Sequence, residues 1–365
     1  MEKKDLRIIF MGTPEFAVET LKALVENDYN VVAVVTQPDK PVGRHGSVLQ
    51  PSQVKQYAVD HGLPVLQPVK MKDPEFVEQL RSYQADLQVV VAFRMLPEVV
   101  WAMPRFGTFN VHAALLPKYR GAAPINWAVI NGETQTGVTT FFLDHDIDTG
   151  RIIMQRPFDI PDDADVEYVY DGLMHLGAAI ALDTIDRIIA GNGHVDSIPQ
   201  PSTLSSRSAC QSKNSRLSTL DSLIAKRFHQ AKRLKEPSTL HSRLSTLDSQ
   251  PSTLDSPLPL APKIFKETCQ VNWQQPVKRV YDFIRGLSPY PGAWTEVTNS
   301  DGQTLVLKIY KSLKTNIPTN GIAGTLYMEK NHLYVNCQDF LLELLEVQLS
   351  GKKRMHARDF LNGWR

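Results

Sequence analysis

LRIIFMG (Leu6–Gly12), EFAVETLKALVEN (Glu15–Asn27) and VVAVVT (Val31–Thr36) follow one another near the start of the chain. The outer two are short continuous apolar runs, and the middle one carries its apolar residues at helical spacing. Strand, helix, strand at this spacing is a βαβ unit, whose right-handed crossover sets two strands side by side in a parallel sheet. The first turn holds Gly12, Thr13 and Pro14 with no second glycine, so it does not fit the GxGxxG pattern of a dinucleotide site. The expected fold class is α/β, Rossmann-like without that cofactor.

Outward from this unit, Asp86–Val100 reads as a buried strand, a turn and a helix begun near Pro97. Gly107–His112 and Gly137–Leu143 read as two neighbouring strands, Arg151–Phe158 as another, and Asp165–Ala190 as a long amphipathic helix. The stretch 36–55 reads as a loop, broken by Pro38, Pro41, Gly43 and Gly46, and it carries Lys40 and Arg44. Its place after the second strand puts it at the carboxyl ends of the sheet, where ligands bind in this architecture.

Chemistry concentrates in FNVHAALLPKYRGAAPINW (Phe109–Trp127) and LDHDIDTG (Leu143–Gly150). Residues i and i+2 of a strand share a face, so Asn110 and His112 can line one pocket, and Asp148 can reach it from the following loop. When an amine attacks a formyl carbon, charge collects on the oxygen, and a preorganised donor such as Asn or His stabilises it. The nitrogen also sheds a proton, which a carboxylate or imidazole can take for about 10²–10⁴-fold in rate. Taken singly, the same residues also suit a capping Asn, a core His and an Asp in a turn.

Asn-x-His-x-x-Leu-Leu-Pro-x-x-Arg-Gly, followed about thirty residues on by Asp-Thr-Gly, resembles the folate-dependent formyltransferases, and above all those that formylate the initiator methionyl-tRNA. The resemblance runs from Leu6 to about Ile198 and resumes from about Ala261. It implies catalytic roles for Asn110, His112 and Asp148. It implies 10-formyltetrahydrofolate as the formyl donor, held by Phe93, Arg94, Met95 and Leu96, largely through backbone groups, and by Ala114, Leu115, Leu116 and Pro117. Phe93 and Leu96 suit a core equally well. The common family form has Ser before Leu-Leu-Pro where this chain has Ala114. The resemblance also implies that the 36–55 loop, with Lys40 and Arg44, meets the acceptor end of the tRNA. Family loops carry more basic residues after Gly-Arg than the His45, Gly46 and Ser47 found here.

A chain of 365 residues suggests two domains. The hydrophobic fraction of 42% and charged fraction of 22% are ordinary for a soluble globular protein. No apolar run approaches a membrane span, and the N-terminus has no leader-like apolar stretch, so the expectation is a cytoplasmic protein without a membrane partner. Three cysteines without paired spacing indicate neither a disulfide framework nor a zinc site, and the chemistry calls for no metal. From about 200 to 260 the composition turns to Ser, Thr, Pro and Leu, with Ser-Thr-Leu recurring; this is expected to be a disordered linker or insertion between a catalytic domain (1–199) and a C-terminal one (261–365). After a turn at SPYPGAW (Ser288–Trp294), the short strand-like runs Thr304–Tyr310, Ile322–Met328, His332–Val335 and Phe340–Val347 suggest a small barrel, and SPYPGAW with GKKRMHARDFLNG (Gly351–Gly363) resembles the OB-like β-barrel domain of the family.

The net charge of +1 hides an acidic first half and a basic remainder. Lys352, Lys353 and Arg354 are expected as phosphate contacts of the tRNA, or simply a solvated charge run. The partners expected are therefore the tRNA and the folate donor, with the enzyme a monomer. Formylation of an amino-sugar nucleotide uses the same three catalytic groups and stands as the alternative within the enzyme class. A noncatalytic RNA-binding protein of the same fold stands outside it.

Overall fold

The protein is described by a computed structural model at residues 1–42, 48–196 and 258–364. Arg44, Cys210 and nearly all of the expected linker, 200–257, lie outside the described residues.

The N-terminal lobe runs β1 (Ile8–Gly12), α1 (Glu15–Glu26), β2 (Val31–Val35), β3 (Lys40–Val42), β4 (Val48–Gln50), α2 (Gln53–Asp60), β5 (Val65–Leu66), α3 (Pro74–Ser82), β6 (Leu87–Val91), α4 (Glu98–Trp101), β7 (Thr108–His112), β8 (Arg120–Gly121), α5 (Pro124–Ile130), β9 (Gln135–Phe142), β10 (Ile152–Asp159) and α6 (Val166–Ala190). Among the described residues its main sheet has the order β10-β9-β7-β6-β1-β2-β5. The five strands from β5 to β7 are parallel; β9 and β10 are antiparallel.

The apolar runs of the sequence are continuous because both faces of this sheet are covered. Ile8 and Phe10 pack with α1 and α6, while Ile9 and Met11 face the opposite way, onto Phe76, Val77 and Leu80 of α3. Tyr170 of α6 accepts the Phe16 N–H at 3.0 Å and meets that ring edge-on, fastening α6 to α1. The strand order reverses between β1 and β6, and at such a switch point the carboxyl ends of the strands open a crevice.

The stretch 36–55 is not wholly a loop. Lys40–Val42 and Val48–Gln50 form an antiparallel ribbon, with Pro41 opposite Leu49. A two-stranded ribbon is all edge, so a residue lacking an N–H can be placed there.

Past β11 (Leu260–Ala261), the C-terminal lobe has a helix at Val277–Arg285, then β12 (Ala293–Thr298), β13 (Thr304–Pro318), β14 (Leu326–Glu329), β15 (His332–Asn336), β16 (Phe340–Leu349), β17 (Met355–His356) and a last helix at Ala357–Gly363. Its sheet is antiparallel, in the order β12-β13-β16-β15-β14 with β17 on β16. This is the β-rich lobe expected from the strand spacing, although β12 was hidden behind the Pro-rich turn and β13 extends well past Tyr310.

The two lobes share α5. Ile130 lies in the C-terminal core with Val280, Ile284 and Leu307. Asn126 donates to the Gly286 carbonyl at 2.8 Å, and Trp127 to that of Pro262 at 2.8 Å. Asp282, 2% exposed, accepts from Lys278 at 2.6 Å and from Arg285 at 2.8 Å, and Arg285 reaches the Ala164 carbonyl at 2.7 Å. A buried carboxylate is tolerated only when so paired. Among the described residues no helix is long and apolar enough to cross a membrane.

Candidate active site

Strand β7 carries Asn110 and His112 on one face, two residues apart, next to β6 through Val90↔Asn110 and next to β9 through His112↔Thr139. Asn110 is half-buried, and its carboxamide has no protein hydrogen-bond partner among the described residues. A donor left free at a strand end beside a catalytic-type histidine is available to a ligand oxygen.

His112 is 6% exposed. Its Nε2 stands 2.9 Å from the Tyr119 carbonyl oxygen. A carbonyl only accepts, so Nε2 carries the proton and the neutral ring presents a bare Nδ1. That Nδ1 looks toward Asp148, whose Oδ2 is 3.8 Å away. Asp148 is in turn held by the Gly121 N–H, which donates to Oδ2 at 2.9 Å. Burial pushes the imidazole below the ordinary histidine range, against the Asp148 carboxylate and the Tyr119 carbonyl, which both raise it.

The sign for stability follows from this depression. The folded protein binds fewer protons than the unfolded chain between the folded value and about 6.5, so the contribution is whole above 6.5 and is lost as the pH falls through that window. The ring resonances of His112 in an NMR titration are expected to move below about 6.5. In Asp148→Asn they are expected to move lower still, since the carboxylate is what opposes burial. An upward displacement in that variant would contradict the arrangement.

Three features whose role the motif does not reveal hold the pair in place. Tyr119, at φ 60, aims its carbonyl at the imidazole while its own ring is anchored through the hydroxyl, which donates to Glu133 at 2.8 Å. Gly121 aims its N–H at Asp148. Strand β8, which contains Gly121, pairs with β11 from the far side of the expected linker, Arg120 with Leu260 and Gly121 with Ala261. The Tyr119 N–H donates to the Pro259 carbonyl at 2.6 Å, and that of Ala122 to Ala261 at 2.7 Å. Gly121 is the residue type this contact needs: a Cβ there would stand 2.4 Å from the Ala261 oxygen. Arg-Gly in the motif was the only local hint.

The segment after β6 offers a second binding feature. No backbone group from Phe93 to Leu96 is hydrogen-bonded by the protein among the described residues. Met95 is 74% exposed, while Phe93 and Leu96 pack on the sheet core. Arg94 turns away, its guanidinium donating to the Pro68 and Val69 carbonyls, and its Nε is buried without a partner. In the second expected folate segment, Ala114 and Leu116 are buried and Leu115 and Pro117 half-buried. Thr139 Oγ1 donates to the Ala114 carbonyl at 2.7 Å and accepts the Leu116 N–H at 3.1 Å, so this turn is held from the sheet.

Of the expected tRNA contacts, Lys40 is exposed on the ribbon, and Lys352, Lys353 and Arg354 are exposed in the other lobe. Arg354 is paired with Glu346 at 2.6 Å and lies 4.5 Å over the Tyr310 ring; Lys352 and Lys353 face no carboxylate among the described residues. Among the described residues no group of three or more His, Cys, Asp or Glu side chains is placed to hold a metal ion.

Two family models match the chain. Residues 6–185 match the model "Formyl transferase" and residues 263–365 match "Formyl transferase, C-terminal domain". The chain is 53% identical to a methionyl-tRNA formyltransferase of Parabacteroides distasonis, over 100% of its own length and 98% of the relative's. The chain belongs to the methionyl-tRNA formyltransferase family. A second relative of the same name, from Bacteroides fragilis, is 50% identical over 100% of this chain and 97% of its own. The fold is shared more widely: an N-formyltransferase from Helicobacter canadensis, solved with folinic acid and dTDP-3-aminofucose, superposes with a TM-score of 0.55 at 16% identity, over 96% of this chain and 100% of that one.

Proposed function

We propose that this family member transfers the formyl group of 10-formyltetrahydrofolate to the α-amino group of the initiator methionyl-tRNA, for translation initiation. The observation that carries the reading is likeness over the whole length, both lobes included, to relatives named for that reaction. The folate reading is supported by the free backbone between Phe93 and Leu96, which suits a flat heterocycle with donors and acceptors along its edge, and by the half-buried Leu115 and Pro117 nearby. On this reading residues 1–199 form the catalytic domain, 200–260 a linker and 261–365 the tRNA-binding domain. Lys40, Arg44 and Lys352–Arg354 meet phosphates, and the enzyme works as a monomer.

The amine attacks the formyl carbon, a C–N bond forms, and the π electrons move onto the oxygen. Asn110 donates its free N–H to that oxyanion. The nitrogen's proton passes to the bare Nδ1 of His112, and the Asp148 carboxylate stabilises the imidazolium. When the intermediate collapses, the bond to the folate nitrogen breaks and the imidazolium returns its proton to that leaving nitrogen. Of the two roles open to His112 in the sequence, oxyanion donor or proton acceptor, the tautomer set by Tyr119 favours the second.

The test is a labelled formyl donor offered in parallel to charged initiator tRNA and to an amino-sugar nucleotide. Label is expected on the tRNA alone. Label on the sugar and not on the tRNA would overturn the reading, and label on neither would favour a noncatalytic RNA-binding protein.

A further inference from the structure

Asp148 by itself favours the idle tautomer of His112. A carboxylate attracts an N–H, so it would stabilise a proton on Nδ1, the nitrogen that faces it, and Nδ1 would then have no lone pair for the amine's proton. Two distances decide against that state. The Tyr119 carbonyl stands 2.9 Å from Nε2, a full hydrogen bond, whereas Asp148 Oδ2 at 3.8 Å from Nδ1 is beyond one. The working tautomer therefore depends on where the Tyr119 carbonyl is held.

Tyr119 sits at φ 60, in the left-handed region that a bulky residue enters only where its surroundings impose it. The surroundings grip it at three points. Its N–H donates to the Pro259 carbonyl at 2.6 Å. Its ring is buried, with 4% of the residue exposed. At the far end of that ring the hydroxyl donates its single proton to Glu133 Oε1 at 2.8 Å and accepts from Asn131 Nδ2 at 3.2 Å. Burial, with Glu133 beside it, pushes the phenol above its ordinary value, so it remains a donor throughout the neutral range.

The two residues that grip the hydroxyl are themselves fixed. Asn131, Gly132 and Glu133 form the turn that ends α5, and their N–H groups return to the carbonyls of Trp127, Val129 and Ala128 at 3.0, 2.9 and 3.1 Å. From the C-terminal lobe, Arg279 donates to the Asn131 carbonyl at 3.3 Å, and a Cβ on Gly132, at φ 72, would stand 2.5 Å from the Asp282 carboxylate.

We propose that Glu133 and Asn131 are positioning residues for the reaction: through the Tyr119 hydroxyl they hold the Tyr119 carbonyl on Nε2 and so keep Nδ1 of His112 bare, against the pull of Asp148. The proposal rests on the reading of His112 as the proton acceptor and extends it to two side chains that touch no substrate.

The test uses the whole chain with Tyr119→Phe, Glu133→Ala and Glu133→Gln. Nitrogen resonances of the His112 ring, from isotope-labelled protein without substrate at a pH about one unit above the ordinary histidine value of 6.5, tell a bare nitrogen from a protonated one. Wild type is expected to show Nε2 protonated and Nδ1 bare. In Tyr119→Phe and Glu133→Ala part of the population is expected to carry its proton on Nδ1. There kcat for formyl transfer should fall about tenfold, short of the ~10²-fold of a 1 Å misplacement, with KM for both substrates little changed. Glu133→Gln keeps an acceptor oxygen for the hydroxyl and is expected to restore most of the rate and the wild-type resonances. In a His112→Ala background Tyr119→Phe is expected to cost nothing further, since the hydroxyl acts only through the imidazole. Nδ1 protonated in wild type overturns the proposal, as does a further loss in the His112→Ala background. Unchanged resonances in Tyr119→Phe, even with a lowered melting temperature, would make the hydroxyl purely structural and overturn it too. Failure of wild type to formylate the tRNA while the resonances behave as expected overturns the proposed function and leaves the clamp on His112 standing.

Discussion

Asn110→Ala is expected to slow formyl transfer by at least about 10²-fold, close to the loss on deleting one oxyanion donor in other acyl-transfer enzymes. The carboxamide is half-buried and has no protein partner, so its removal leaves no orphaned group and the fold should be unaffected. The loss should therefore appear in kcat, with KM for the tRNA little changed, because the oxygen becomes charged only in the transition state. His112→Ala is expected to cost at least as much, since no other group takes the proton at Nδ1. Asp148→Ala combined with His112→Ala should be no slower than His112→Ala alone, because the carboxylate acts only through the imidazolium. Single-turnover formylation with labelled donor measures all of these. A near-normal rate in any folded variant removes that residue from the mechanism.

Gly150→Ala is expected to be nearly as damaging without touching a reacting atom. A Cβ at this position would stand 1.7 Å from the Phe142 carbonyl oxygen and 2.9 Å from its carbon. Those atoms belong to the end of β9, whose Phe142 N–H is bonded to the Arg151 carbonyl at 3.0 Å, so the strand cannot yield cheaply. The loop must move instead, and Asp148 lies two residues upstream in it. A carboxylate displaced by about 1 Å loses its place against Nδ1, and a misplacement of that size can cost about 10²-fold. The expected outcome is a kcat lowered about 10²-fold, together with about 1–3 kcal/mol of stability lost to overpacking. A thermal melt and a kcat measurement decide it: full activity at a lowered melting temperature would mean that the Asp148 loop tolerates movement.

The sequence by itself determined the elements whose signal is local. Apolar runs and a helical period in 6–36 suffice for the βαβ start of the sheet. A strand period of two is enough to put Asn110 and His112 on one face, because it needs only two residues of one strand. The motif around them and the Asp-Thr-Gly downstream carried the family. β12 was missed because a Pro-rich turn masked its start, and the ribbon at Lys40–Gln50 because its prolines and glycines argue for a loop unless the strand is all edge.

Only the tertiary structure decided how the pair is set. The proton of His112 is placed by the Tyr119 carbonyl, the reach of Asp148 by the Gly121 N–H, and the loop bearing both by Leu260–Ala261, well over a hundred residues away in sequence. These are hydrogen bonds to backbone groups, so apart from Gly121, where a Cβ would meet the Ala261 carbonyl oxygen, they leave no residue type at a fixed spacing to be read.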